Sequence, residues 1–215
     1  RRRGERHRFA ARDCQREQRH RPGDGRDQAE DMHQAIRGEL APHWSHRIEV
    51  ASDPPLKWKQ DDRRDWLVNK LAAQIFGARS EALLVSPYFV PGETLTSRLV
   101  DLVQRKDVAV GVVTNSLAAN DVPAVHAGYA SYRERLLDGG IELYELRSQG
   151  SSEIHGLFGS SGASLHTKAF AIDGERGFIG SFNLDPRSAY LNTEMGVLFE
   201  DRDIAQAVRE EYLFL

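Results

Sequence analysis

Val108-Ala-Val-Gly-Val-Val-Thr114 is apolar at both sets of alternating positions. A strand built from it has no polar face to turn to water, so it belongs inside a sheet covered on both sides. Ala82-Leu-Leu-Val-Ser-Pro-Tyr-Phe-Val90 is a second such run, halted by Pro91-Gly92. Between the two, a helix is predicted from about Thr94 to Arg105, with Leu95, Leu99, Val100 and Leu102 or Val103 inward. Upstream, Asp61 and Asp62 are placed to cap a helix with Trp66, Leu67, Leu71, Ile75 and Phe76 on one side and Gly77 near its end. Downstream, a helix near Ala124 to Leu137 stops at Gly139-Gly140 and a strand follows over Ile141 to Leu146. This alternation predicts an α/β fold with a mixed central sheet between helical layers.

The last third is less regular. Gln149 to Ser164 is rich in Gly and Ser and reads as a loop, either the rim of an active site or an ordinary surface connection. Ser164 to Ile172 and Gly177 to Phe182 read as strands joined at Asp173-Gly174 in a hairpin. Asp201 or Asp203 is expected to cap a final helix running to Leu215.

Arg1 to Ala35 contains no Ile, Leu or Val. Such a segment cannot bury enough apolar area to offset chain entropy. The expected organisation is therefore a disordered or non-native Arg-rich segment over 1–38, a linker over 39–60, and a lobe over 61–215 that is cut short at its C-terminus. An arm that binds nucleic acid or anionic lipid is disfavoured, because Asp and Glu are interspersed among the arginines and the net charge is -3. The lone Cys14 excludes a disulfide framework and a cysteine-based metal cluster. No apolar run approaches the ~18 residues of a membrane span, so membrane contact is expected to be peripheral or to belong to sequence outside this stretch.

Chemistry concentrates in one string: His166-Thr-Lys168, then Asp173, then Gly180-Ser181-Phe-Asn183. On an extended segment His166 and Lys168 face one way, while Leu165, Thr167 and Ala169 face the other. A phosphodiester on the first face meets an imidazole able to attack phosphorus or protonate a leaving oxygen, and an ammonium able to neutralise charge on the equatorial oxygens. Ser181, Asn183 and backbone N–H groups near Gly180 add neutral donors, and Gly180 permits close backbone approach. Asp173 lies at an odd offset from His166, which assigns it to a structural bond at the hairpin. Glu194 is a candidate to orient an imidazole, with a plain surface charge as its alternative.

The spacing His166-x-Lys168-x4-Asp173-x6-Gly180-Ser181-x-Asn183 resembles the HKD signature of the phospholipase D superfamily. Ser86-Pro-Tyr-Phe-Val-Pro-Gly92, Thr114-Asn-Ser-Leu-Ala118, Val125-His-Ala-Gly-Tyr129, Gly180 to Ser188 and Asn192-Thr-Glu-Met-Gly196 are similar to the second half of the bacterial cardiolipin synthase C branch. The resemblance covers roughly Ile48 to Leu215. It implies one lobe of a two-lobed α/β/α enzyme in which each lobe supplies one histidine, without metal or other cofactor. It implies catalytic roles for His166, Lys168 and Asp173, phosphate binding by Lys168, Ser181 and Asn183, and His166 as proton shuttle to a nucleophilic histidine elsewhere. The implied reaction transfers a phosphatidyl group between phospholipids, such as phosphatidylglycerol and phosphatidylethanolamine. The implied partners are the other lobe or a second copy of the chain, at the cytoplasmic face of the bacterial inner membrane. Ser86 to Gly92 and Asn115 would lie near the lipid headgroup. A single-motif homodimeric endonuclease and an inactive half-lobe are the alternatives.

Overall fold

The computed structural model describes residue 37 and residues 43–45, 47–120, 122–146 and 165–215. The Arg-rich segment apart from Arg37, and the Gln149–Ser164 loop, lie outside these described residues. The strands are β1 (Ile48–Ser52), β2 (Glu81–Val85), β3 (Ala109–Asn115), β4 (Glu142–Leu146), β5 (Lys168–Ile172), β6 (Arg176–Gly180) and β7 (Met195–Glu200). The helices are α1 (Leu67–Phe76), α2 (Gly92–Lys106), α3 (Pro123–Asp138), α4 (Pro186–Tyr190) and α5 (Arg202–Phe214). One seven-stranded sheet has the order β1-β7-β6-β5-β2-β3-β4. Strands β2, β3 and β4 are parallel, whereas β5 runs antiparallel to β2 and continues into the antiparallel set β6, β7 and β1.

Strand β3 sits between β2 and β4 and is buried from Val110 to Asn115, as its two-faced apolarity requires. On one face Val110, Val112, Phe170 and Phe178 pack with Leu67, Leu71 and Ile75 of α1, Leu99 and Leu102 of α2, and Tyr129 and Leu136 of α3. On the other, Ala169, Ala171 and Phe199 pack with Ala205 and Val208 of α5, and Tyr212 of α5 joins Leu83, Val85 and Val113. The result is the expected sheet between helical layers.

Three expectations are corrected. No side chain of the preceding turn caps α1; Asp62 accepts instead from Arg64, and the Leu67 N–H donates to Asp53 Oδ1 at 2.9 Å. A carboxylate delivered by the tertiary fold outcompetes the local ones. The span expected as a linker contains β1, paired along its length with β7, and a 3-10 turn at Lys57–Lys59, so residues 48–59 belong to the folded unit. The run expected as a strand to Val90 leaves the sheet after Val85, and Phe89 then pairs with Leu184 while packing in the core. Of the two candidate caps for the last helix, Asp201 accepts from the Asp203 and Ile204 N–H groups.

Candidate active site

The register brings the chemical residues to one edge of the sheet. Lys168 opens β5 opposite Gly180, which closes β6, and Gly180 lies opposite Gly196 at the start of β7. Ala169 faces Val85 at the end of β2, and Asn115 faces Leu146 at the ends of β3 and β4. This is the carboxyl end of the parallel strands, where open α/β sheets bind ligands.

Burial alternates through the approach to β5: Leu165, Thr167 and Ala169 are buried, His166 is exposed and Lys168 is half-buried. The Lys168 ammonium donates to the His166 carbonyl at 2.6 Å, so the two residues are tied at one surface. The preceding residue is fixed from inside. Asn115 Oδ1 accepts the Leu165 N–H at 2.9 Å, and Asn115 Nδ2 donates to the Leu165 carbonyl at 3.2 Å. Asn115 is 2% exposed, so it is a clamp on the chain entering His166 rather than a headgroup contact. Ser86 is likewise internal: its hydroxyl donates to the Tyr88 carbonyl and accepts the Leu184 N–H.

Beyond β6, the Ser181 hydroxyl donates to Glu194 Oε2 and accepts the Met195 N–H at 3.1 Å. Glu194 is 6% exposed, so the surface-charge alternative fails. Its Oε1 accepts from Ser188 Oγ at 2.8 Å and from Asn192 Nδ2 at 3.3 Å. Among the described residues these hydroxyl and amide groups, not His166, are the recorded partners of the Glu194 carboxylate. Ser188 Oγ also accepts the Asn183 N–H at 3.2 Å, which seats the Asn183 turn. Asn183 Oδ1 is buried and has no hydrogen-bond partner among the described residues. The close approach at Gly180 is internal: a Cβ there would lie 2.4 Å from the Met195 carbonyl oxygen and 2.5 Å from the Phe178 ring. Its role is to let β7 and Phe178 close over the strand end.

Asp173 is at the other end of β5, roughly 16 Å away at ~3.3 Å per residue. It accepts from the N–H groups of Arg79, Ser80 and Glu81 and from Ser80 Oγ. Burial alone would push the carboxyl up, but these donors hold it down at about 2. Asp173 therefore pins the hairpin to the start of β2, and the position implied for it among catalytic groups is not one from which it reaches His166.

Asp53, Lys57 and Ser188 were not singled out from the sequence. Lys57 and Asp53 are fully buried and bonded at 2.5 Å, and Lys57 also donates to the Ser188 carbonyl at 2.7 Å. The signal available was the four-residue spacing of Asp53 and Lys57, hidden in a span without obvious period. One group of metal-type ligands occurs among the described residues: His43, Asp201 and Asp203, with ligand atoms within 4.8 Å of one another. It lies beyond the Glu200 end of β7, away from the Ser181 end, and Asp201 is already engaged as the α5 cap.

A family model described as cardiolipin synthase, phospholipase D-like domain, matches residues 71–213. Cardiolipin synthase C of Escherichia coli is 45% identical over 183 residues, covering 83% of this chain and 38% of that protein. The chain thus spans well under half the length of that curated relative. Among solved structures, Nuc of Salmonella typhimurium, a phospholipase D family member, superposes with a TM-score of 0.56 at 16% identity, covering 77% of this chain and 91% of the other. NucT of Helicobacter pylori gives 0.57 at 16% identity, covering 78% and 93%. At that identity the two structures establish a shared fold.

Proposed function

The chain belongs to the cardiolipin synthase, phospholipase D-like domain family, and from that premise we propose that it supplies one half-site of a phosphatidyltransferase acting on phospholipids. The observation that carries this reading is the register of Lys168 opposite Gly180, which gathers His166 and Lys168 beside Ser181 and Asn183.

In this reading a nucleophilic histidine from the other lobe, or from a second copy, attacks phosphorus of the donor lipid. The bond from phosphorus to the departing headgroup oxygen breaks, and His166 delivers the proton that the alkoxide needs. The product alcohol leaves and the phosphatidyl group stays on the nucleophilic histidine. His166 then takes the proton of the acceptor headgroup hydroxyl as that oxygen attacks phosphorus and frees the histidine. Lys168 offsets charge on the non-bridging oxygens, with Ser181 and Asn183 as neutral donors. Glu194 holds Ser181 and the Asn183 turn through Ser188. This is the same string, His166, Lys168 and Asn183, that carries the HKD resemblance, with Asp173 as its structural member. Lipid substrates require contact with a bilayer surface. No described helix is long and apolar enough to cross a membrane, and the reading places the protein peripherally, at the cytoplasmic face of a bacterial inner membrane.

The test uses the natural full-length protein with vesicles of phosphatidylglycerol and phosphatidylethanolamine. Cardiolipin should form, and His166→Ala should lower its rate by about 10²- to 10⁴-fold. A folded protein that makes no cardiolipin but nicks plasmid DNA in a His166-dependent way would overturn the lipid assignment in favour of a nuclease.

A further inference from the structure

Asp53 and Lys57 are the one buried ion pair recorded among the described residues with both side chains fully enclosed. Stability does not explain it, because apolar replacements of a buried pair are often equally stable. Its hydrogen bonds say more. Asp53 Oδ1 accepts the Leu67 N–H at 2.9 Å, and Oδ2 accepts the Glu194 N–H at 3.1 Å as well as Lys57 Nζ. The Asp53 N–H donates back to the Glu194 carbonyl at 2.8 Å. Lys57 Nζ donates to the Ser188 carbonyl at 2.7 Å and lies 6.0 Å from the centre of the Phe182 ring. One pair therefore grips the start of α1, the entry to β7 and the middle of α4.

The two residues gripped are those that organise the site. Ser188 Oγ bonds Glu194 Oε1 and the Asn183 N–H, and Glu194 Oε2 bonds Ser181. Neither Asp53 nor Lys57 lies within residues 71–213 matched by the family model, so the support comes from outside that span.

We infer that Asp53 and Lys57 are positioning residues: a buried strut that fixes Ser188 and Glu194 and thereby sets Ser181 and Asn183 against the substrate phosphate. The strut rests on geometry; its catalytic consequence rests on the proposed phosphatidyl transfer.

The test is the paired variant Asp53→Leu/Lys57→Met in the full-length protein, which removes both charges and leaves neither one stranded. Amide exchange at Asn183 and Glu194 should quicken by about 100-fold while core amides of β3 exchange as before. The kcat should fall by about 10- to 100-fold, with KM within about two-fold, as misplacement of groups around a reacting centre predicts. Unchanged exchange at those two amides overturns the strut, and faster exchange with full kcat overturns its positioning role. If the paired variant does not fold, Ser188→Ala cuts the same path and leaves the ion pair intact; full kcat in that variant overturns the inference. A parent protein with no phosphatidyl transfer removes the proposed function, while the exchange measurement still decides the strut.

Discussion

The strands β5 and β6 carry a carboxylate cluster beyond each end, and the two clusters are built from different donors. At the hairpin end Asp173 is saturated by backbone N–H groups of Arg79, Ser80 and Glu81. Three backbone donors with fixed positions, joined by the Ser80 hydroxyl, hold the hairpin against β2. At the other end Glu194 is held by the side chains of Ser181, Ser188 and Asn192. Hydroxyl and amide donors sit on rotatable side chains and can re-aim, and the adjoining His166 is exposed. An Asp that follows His166 closely in the chain is not thereby a reacting residue: the two lie beyond opposite ends of β5.

The strongest loss is predicted at the His166 end. His166→Ala should lower phosphatidyl transfer by about 10²- to 10⁴-fold, the range for losing a general acid and base. Because the side chain is exposed, the melting temperature should stay within about 1 °C, since surface changes rarely move stability by more than ~0.5 kcal/mol. A variant that loses activity only in proportion to lost folding would place His166 with Asp173 as a structural residue.

Second comes Gly180→Ala. The added Cβ meets the Met195 carbonyl oxygen at 2.4 Å and Gly196 Cα at 2.7 Å, both backbone atoms that cannot swing aside. A loss of about 3 kcal/mol is expected, at the upper end of overpacking costs. A denaturant midpoint close to that of the parent would show that the β6–β7 edge has room for a ligand.

Why the sequence revealed one end better than the other follows from the kinds of contact involved. Continuous apolar runs located β2 and β3, 3.6-residue spacing located α1 and α2, and the Gly139-Gly140 stop bounded α3, because each of these signals is read from residues close together in the chain. Asp173-Gly174 announced its hairpin because both residues adopt positive φ, 57° and 63°, which that dipeptide favours. By contrast β1 is short and pairs with β7 far along the chain, and neither was predicted. Asp53 reaches Glu194 across 141 positions and Lys57 reaches Ser188 across 131. No local period encodes such bonds, so the support of Ser181 and Asn183 was invisible although the residues themselves were legible. The resemblance implies that Asn115 lies near the lipid headgroup, but its bond to Leu165 spans 50 positions, so its role as a buried clamp has no local signal.

Third in size is Asp173→Asn, which keeps a residue tolerant of left-handed backbone and removes the charge. The folded carboxyl is held at about 2, below the ordinary 3.8. A depressed folded value means the stabilisation is fully present above about pH 4 and is lost as pH falls through 4 toward 2. Asp173→Asn should thus cost about 2 kcal/mol at pH 7, and the gap to the parent should close between pH 4 and 2. Urea midpoints at pH 7, 4 and 3 measure it. Transfer activity per folded molecule should be unchanged, and a specific loss of kcat would return Asp173 to the reacting groups.

The smallest effect separates the two ends by steric fit alone. Gly174 adopts φ +63°, and an added Cβ there would find nothing within 4 Å. Gly174→Ala therefore meets only its own backbone, a cost of about 1 kcal/mol for a left-handed residue with a side chain. The loss should be independent of pH between 4 and 8, because the Cβ touches no titrating group, and it should leave kcat and KM alone. Setting it beside Gly180→Ala in the same denaturation series compares an open turn with a closed strand end. Equal losses would mean that both ends are fitted equally tightly, and the contrast would then rest on His166 and the donors around Glu194, not on packing.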